Sequence, residues 1–314
     1  KTTVAGILKA MGGALSGNGG FIETSSKGQV SIASQAQINT AANNPTGKAG
    51  TWLLDPIDLT IDSTAANVIS AALSNNNVII EVNANTTACP SLGGCTQNGS
   101  GSLTIASGAD ILKSGTTLTT LTLNSSGIFN LNANISGQNL DVIISSSIAY
   151  LNVGTTINAS KVTVQAQSIY SAGTIQTTNY LNNANPGSLG NAIALLAQAI
   201  YISGRLSLNA NLPINNVTTV SVNGTAKRPE ELPSYLLAQN ADQNLNQVYS
   251  TAAANDASAI ASSATPANSN VIYLSATQSV ALHTSAQVQA NGTTGGSIYL
   301  GAPIIDAHAG SVVQ

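Results

Sequence analysis

Ser102-Leu103-Thr104-Ile105, Thr120-Leu121-Thr122-Leu123, Asp141-Val142-Ile143-Ile144 and Lys161-Val162-Thr163-Val164 are four short strand-like runs of one style. Measured from the second residue of each, they follow one another at 18, 21 and 20 residues. A later pair, Val271-Ile272-Tyr273-Leu274 and Ser297-Ile298-Tyr299-Leu300, lies 26 residues apart. Like segments returning at a period near 20 are the mark of a solenoid, one coil per period. Within a coil, runs of three to five alternating residues break at Gly, Asn or Ser, as in 101–105, 109–112 and 118–123, which predicts short strands with small polar corners. The pattern therefore predicts an all-β chain, a right-handed parallel β-helix with three strands per coil. An immunoglobulin-like sandwich would show hairpins with Asn-Gly or Asp-Gly turns instead. The expected core is Leu103, Ile105, Leu121, Leu123, Val142, Ile144, Val162 and Val164, buried and stacked in ranks along the axis.

Composition agrees with this. The chain has 314 residues, of which nine are basic and twelve acidic, so only 7% are charged; an ordinary soluble domain carries about 25%. Such a chain must coat itself with Ser, Thr, Asn, Gln, Gly and Ala. A single coil cannot offset the entropy of its own ordering, and stacking supplies the missing strand pairs and closes the apolar column. The net charge of −3, with basic residues scattered along the chain, offers no stripe for a phosphate backbone and excludes nucleic acid as the expected partner. The most apolar stretch, 192–202, is too short for a membrane span and contains Gln198. The first residues lack a charged-then-apolar leader, and 311–314 still read as strand. The expectation is a processed segment of a longer shaft.

Two stretches interrupt the repeat. Residues 179–191 read as loop. Residues 223–270 read as a helical insertion between shaft segments 1–222 and 271–314: Lys227-Arg228-Pro229-Glu230-Glu231-Leu232-Pro233 suits a helix start, and Leu232, Tyr235, Leu236, Leu245, Val248 and Tyr249 fall at helical spacing. Lys227, Arg228, Glu230, Glu231, Tyr235 and Tyr249 form the candidate contact patch, since charge and aromatics concentrate there and nowhere else. The competing reading is an amphipathic cover for the flank of the solenoid.

Residues 17–25, Gly17-Asn18-Gly19-Gly20-Phe21-Ile22-Glu23-Thr24-Ser25, are followed by Gly50-Thr51-Trp52-Leu53-Leu54-Asp55-Pro56 and Asp58-Leu59-Thr60-Ile61. This pairing resembles the two-partner secretion exoproteins, the filamentous haemagglutinin and high-molecular-weight adhesin family of Gram-negative bacteria. The motif pair covers residues 12–62; the rest is similar in style, as Asn/Thr/Ser-rich coils. The resemblance implies export through an outer-membrane partner transporter, a secreted or cell-surface location, and attachment to host or matrix glycans or proteins, or to neighbouring fibres. Asn44-Pro45-Thr46-Gly47 departs from the Asn-Pro-Asn motifs of the family's secretion domain, which places the chain downstream of it. Read by themselves, Gly17, Gly19 and Gly20 permit positive φ at a corner, Trp52, Leu53 and Leu54 plug the column, and Asp55 before Pro56 favours a turn. These are structural roles.

In a chain taken as extracellular, Cys89 and Cys95 are expected to form a disulfide pinning an extruded corner. No metal site or cofactor is expected, because His283 and His308 lie far from both cysteines. Those histidines are 25 residues apart, so one coil of separation could stack them ~4.8 Å apart on adjacent rungs; the expected reading is two incidental imidazoles on a polar face, the alternative a weak metal or pH-sensitive site. Asp55, Asp58 and Asp62 cluster as in polysaccharide-cleaving β-helices, where two carboxyl groups do acid and base work. No Lys or Arg stands between Lys48 and Lys113, so structural roles are expected for all three. The resulting expectation is a non-enzymatic adhesin or matrix-filament segment, the alternative being a polysaccharide-acting or polysaccharide-binding β-helix.

Overall fold

The alternation Leu121-Thr122-Leu123 sends two leucines to one face of a strand and the threonine to the other. In the computed structural model, which describes residues 1–44, 46–84, 99–178, 192–210, 270–292 and 296–313, both leucines are fully buried. The chain divides into two compact units, Lys1–Ala159 and Ser160–Gln314. Each is built of parallel strands stacked coil upon coil, an all-β parallel β-helix. No helix among the described residues is long and apolar enough to cross a membrane.

In the first unit β1 (Thr2–Val4) and β2 (Ile7–Lys9) precede a coil of β3 (Phe21–Ser25), β4 (Val30–Ile32) and β5 (Gln37–Asn39). The next coil holds β6 (Thr51–Asp55), β7 (Leu59–Ile61) and a helix, α1 (Ser63–Leu73). Then come β8 (Asn77–Val82), β9 (Leu103–Ile105) and β10 (Ile111–Lys113), followed by β11 (Thr119–Ser125), β12 (Ile128–Leu131) and β13 (Ile135–Gly137). In the last coil β14 (Leu140–Leu151) runs straight through the first corner, and β15 (Thr156–Ala159) closes the unit. The first wall is β3-β6-β8-β11-β14, the second carries β7-β9-β12-β14, and the third β10-β13-β15; β4 pairs only with β1 and β5 only with β2.

The second unit repeats the plan with the first two walls fused. β16 (Lys161–Ser171), β18 (Ala192–Ile202) and β20 (Asn270–Leu282) are long strands, each followed by a short one: β17 (Thr174–Thr178), β19 (Arg205–Ala210) and β21 (Gln287–Gly292). The last coil splits again into β22 (Gly296–Gly301), β23 (Ile304–Ala307) and β24 (Val312–Val313). Both β22 and β23 pair with β20, and the third wall is β17-β19-β21-β24. The 26-residue spacing of Ile272 and Ile298 is a true coil, for the two are register partners.

All eight expected core residues are fully buried, but they do not share one column. Leu121 and Leu123 lie between Val78 and Ile80 on one side and Val142 and Ile144 on the other. Leu103 and Ile105 belong to the second wall, between Leu59 and Ile61 and Phe129 and Leu131. The 18-residue step from Leu103 to Leu121 therefore joins two walls and is not a coil. Since each coil holds three strands of similar text, a period search matches one wall to the next.

Three readings of the motif residues are corrected. Leu53 faces outward, while its neighbours Trp52 and Leu54 fill the core and the indole Nε1 donates to Thr24 Oγ1 at 3.0 Å. Gly17 has φ of +108° as expected, whereas Gly19 and Gly20 are not among the glycines with positive φ. Gly19 is required by proximity instead: a Cβ there would sit 1.7 Å from the carbonyl oxygen of Thr40 and 2.4 Å from the Gly50 nitrogen. Cys89, Cys95, residues 179–191 and the contact patch Lys227, Arg228, Glu230, Glu231, Tyr235 and Tyr249 lie outside the described residues; Asn270, the last of the expected insertion, is the first residue of β20.

Helix α1 stands where a third-wall strand would be, packed against β5 and β10. Asp62 caps it, its side chain accepting from the Ala65 N–H at 2.8 Å, and Ala65, Ala66, Ile69, Ala72 and Leu73 form its buried stripe. A helix has no free N–H or C=O row to offer a strand edge, so side chains fill in. Ser70 Oγ accepts from the Leu112 N–H at 2.9 Å while donating to the Ala66 carbonyl at 2.6 Å. Thr119 Oγ1 donates to the Leu73 carbonyl at 2.7 Å.

Strand β18 shows why 192–202 is nearly all apolar. Ile193 and Leu195 point to the core, and Leu196, on the opposite face, is only 2% exposed. Its outward register neighbours Gln165 and Ser275 are buried as well. A strand buried on both faces loses the polar half of its alternation.

Two substitutions test these assignments in urea unfolding. Asp62→Ala should cost about 1 kcal/mol through loss of the cap, with Asp62→Asn close to wild type. Gly19→Ala, forced against backbone atoms, should cost about 1–3 kcal/mol or more; an unchanged midpoint would remove the proximity argument.

Candidate functional site

The second wall of the first unit is interrupted. β4 pairs with β1 and β7 with β9, and no ladder joins β4 to β7. The gap is a cleft of about 670 Å³ lined by Lys1, Ser31, Asp58, Thr60, Ser100 and Thr104, among others. From its floor an outward polar rank runs across the rungs, Thr60 beside Thr104, Thr104 beside Asn130 and Asn130 beside Tyr150. This rank follows from the pleat: Leu59, Ile61, Leu103, Ile105, Phe129 and Leu131 are buried, so the residues between them must face out.

The acidic residues divide into two groups. Asp58 lines the cleft, and both of its carboxylate oxygens are engaged. Oδ1 accepts from the Ser102 N–H at 2.7 Å and Ser100 Oγ at 3.2 Å, and Oδ2 from the Ser100 N–H at 3.2 Å. Asp58 thus ties the corner after β6 to the segment entering β9, and Asp62 caps α1. Asp55 sits on a different wall, at the end of β6, half-buried. Burial pushes its carboxyl above the ordinary value of 3.8, and the charges of Glu81 and Glu23 push the same way. Glu23 stands on β3 and Glu81 on β8, the two strands that flank β6 in the first wall.

A buried cation on the third wall has a structural role. Lys113 is 3% exposed and its Nζ donates to the carbonyls of Gly115 and Gln138 at 3.1 Å and Ser114 at 3.4 Å. Burial lowers its pKa below the usual lysine value, while the three carbonyls hold its charge at a corner.

In the second unit the same stacking acts on aromatic rings. Tyr170 and Tyr201, register partners on the outward face, stack with centroids 4.8 Å apart and planes within 7°. His283 and His308 stack at 5.2 Å, as one coil of separation requires, and His308 Nε2 lies 3.3 Å from Asp306 Oδ2. Among the described residues no three His, Cys, Asp or Glu side chains gather closely enough to hold a metal ion. The sequence reading missed the cleft, which arises from a ladder that fails to form, and the tyrosine pair, whose members fall 31 residues apart with 179–191 between them.

No family model, curated protein or solved structure matches the chain.

The raised Asp55 carboxyl has a signed consequence. A carboxyl whose pKa is higher in the folded than in the unfolded chain favours folding while protonated, and that contribution is lost as pH rises through the folded value. Asp55→Asn should therefore unfold at higher urea than wild type at pH 7, and the gap should close as pH falls below the ordinary 3.8. A gap that widens toward acid would reverse the assignment.

Proposed function

We propose that this chain is a non-catalytic segment of a secreted adhesin or extracellular matrix filament, exported in the manner of two-partner secretion exoproteins and holding neutral glycans by many weak contacts. The observation that carries the reading is the cleft between β4 and β7: the hydroxyls of Ser31, Thr60, Ser100 and Thr104 line it together with Lys1, and its carboxylate, Asp58, is committed to the Ser100 and Ser102 donors. A catalytic acid or base needs a carboxyl free to exchange a proton with substrate. Hydroxyls and amides at rung spacing suit the hydroxyls of an extended polysaccharide, and repetition adds the contacts into useful avidity. The low charge of the whole chain, 7%, fits a neutral partner. The motif at Gly17, Asn18, Gly19, Gly20, Trp52, Leu53, Leu54, Asp55 and Pro56 supports the export route, with an outer-membrane transporter as partner.

The Asp55 and Glu81 pair gives the alternative, a polysaccharide-cleaving β-helix, its observable footing. Incubation of the chain with neutral and acidic polysaccharides distinguishes the two. On the proposed reading the chain is retained on immobilised neutral polysaccharide, releases no reducing ends, and loses most retention in the double variant Ser31→Ala, Thr60→Val. Steady release of reducing ends that Asp55→Asn or Glu81→Gln abolishes would establish the enzyme instead.

A further inference from the structure

On the second wall of the second unit the outward ranks can be followed rung by rung. One rank reads Tyr170, Tyr201, Ala281, Asp306. The rank on one side reads Ser168, Ala199, Ser279, Ile304. On the other side stand the stacked imidazoles of His283 and His308, on the rungs of Ala281 and Asp306. Beyond Tyr201 the tyrosine stack does not continue, for the next rung carries only the methyl group of Ala281.

That interruption makes a notch. Tyr201 is covered by Tyr170 on one ring face, and its other face looks toward the Ala281 rung. Asp306 stands on the rung after that, its side chain 63% exposed. Two rungs separate the tyrosine plane from the carboxylate, about 9.6 Å at the ~4.8 Å strand spacing. Less the thickness of the phenol ring and the carboxylate, this leaves room for one saturated six-membered ring lying flat. The floor is the Ala281 methyl; the flanks are Ser279 and apolar Ile304 on one side, His283 on the other.

We infer that this notch is a subsite for a single pyranose unit of a neutral glycan, stacked on Tyr201. A pyranose has one face of C–H groups, which the negative face of a phenol ring attracts, and an equatorial rim of hydroxyls that need donors and acceptors side by side. Asp306 accepts, and His308, 3.3 Å from it, and the Ser279 hydroxyl complete the set. The inference rests on the adhesive reading above and names one place where that contact is made. It is separate from the cleft in the first unit, so the two can fail independently.

The experiment is saturation-transfer and chemical-shift NMR on the full chain with cellotriose, chitotriose and mannotriose, and with free arginine as the cationic control. The notch predicts that at least one saccharide binds, perturbs Tyr201 and His308 resonances, and is weakened at least tenfold by Ala281→Tyr. That variant continues the tyrosine stack and fills the notch, so its thermal transition should be equal to or above that of wild type. Asp306→Asn, at an exposed position, should weaken the same saccharide several-fold with the fold untouched, which holds the test open should Ala281→Tyr prove unstable. Saccharide binding that both variants leave unchanged overturns the notch. So does arginine binding in place of sugar, or silence of all three saccharides in solution while the chain still adheres to immobilised glycan. In that last case the adhesive reading stands and the subsite falls; loss of adhesion as well removes both.

Discussion

A strand in this chain has no partner of its own: its N–H and C=O groups are satisfied only by the coils before and after it. Within each unit every ladder among the described residues is parallel, and only the pairing of β18 with β20 shifts register, between Ala197 and Ala199. Parallel registry puts residue above corresponding residue, so whatever a position carries is repeated on top of itself. Aliphatic positions become columns, as with Val78, Leu121 and Val142. Tyrosines become stacks. Carboxylates become a penalty: burial raises the pKa of Asp55, and the charges of Glu81 and Glu23 add to the shift. A chain with so little charge keeps that penalty local.

The same dependence explains where the fold departs from pure repetition. A helix cannot extend a ladder, so α1 is accepted only because Asp62, Ser70 and Thr119 supply the hydrogen bonds that a strand edge would have made. Its neighbourhood holds a further buried polar arrangement. Asn76 donates through Nδ2 to the Ile38 carbonyl at 2.9 Å and accepts from Thr40 through Oδ1, from the backbone N–H at 2.6 Å and the hydroxyl at 3.1 Å. Failure of the β4 and β7 ladder to form, one wall away, opens the cleft. Irregular rungs are thus where this molecule gains places that differ from all others.

Much of this was legible in the sequence. Alternation in the runs at 120–123 and 141–144 identified core faces and wall spacing, and the 25-residue spacing of His283 and His308 allowed the stack that forms. The errors have physical sources. Leu103 was aligned with Leu121 because walls share one vocabulary of residues. Helix α1 was overlooked because Ala, Ser, Thr and Asn in 63–73 look like the rest of the coil, and only Asp62 with apolar residues at 65, 69 and 72 marks a helix. Gly19 was assigned a dihedral role, although what fixes it is a carbonyl from a residue 21 positions later, invisible to local reading. The cleft and the Tyr201 notch are produced by absences, a missing ladder and a missing side chain, which no motif encodes.

The helix in the third wall has one more consequence. In a stack whose coils resemble one another, a segment displaced by a whole coil finds almost the same column and almost the same hydrogen bonds, so mispairing during folding carries little energetic warning. α1 has one fitting address: β5 below it and β10 above it, with Ser70 reaching the Leu112 nitrogen. It serves as an index mark, fixing the count of coils from one point outward and making slippage past that point expensive.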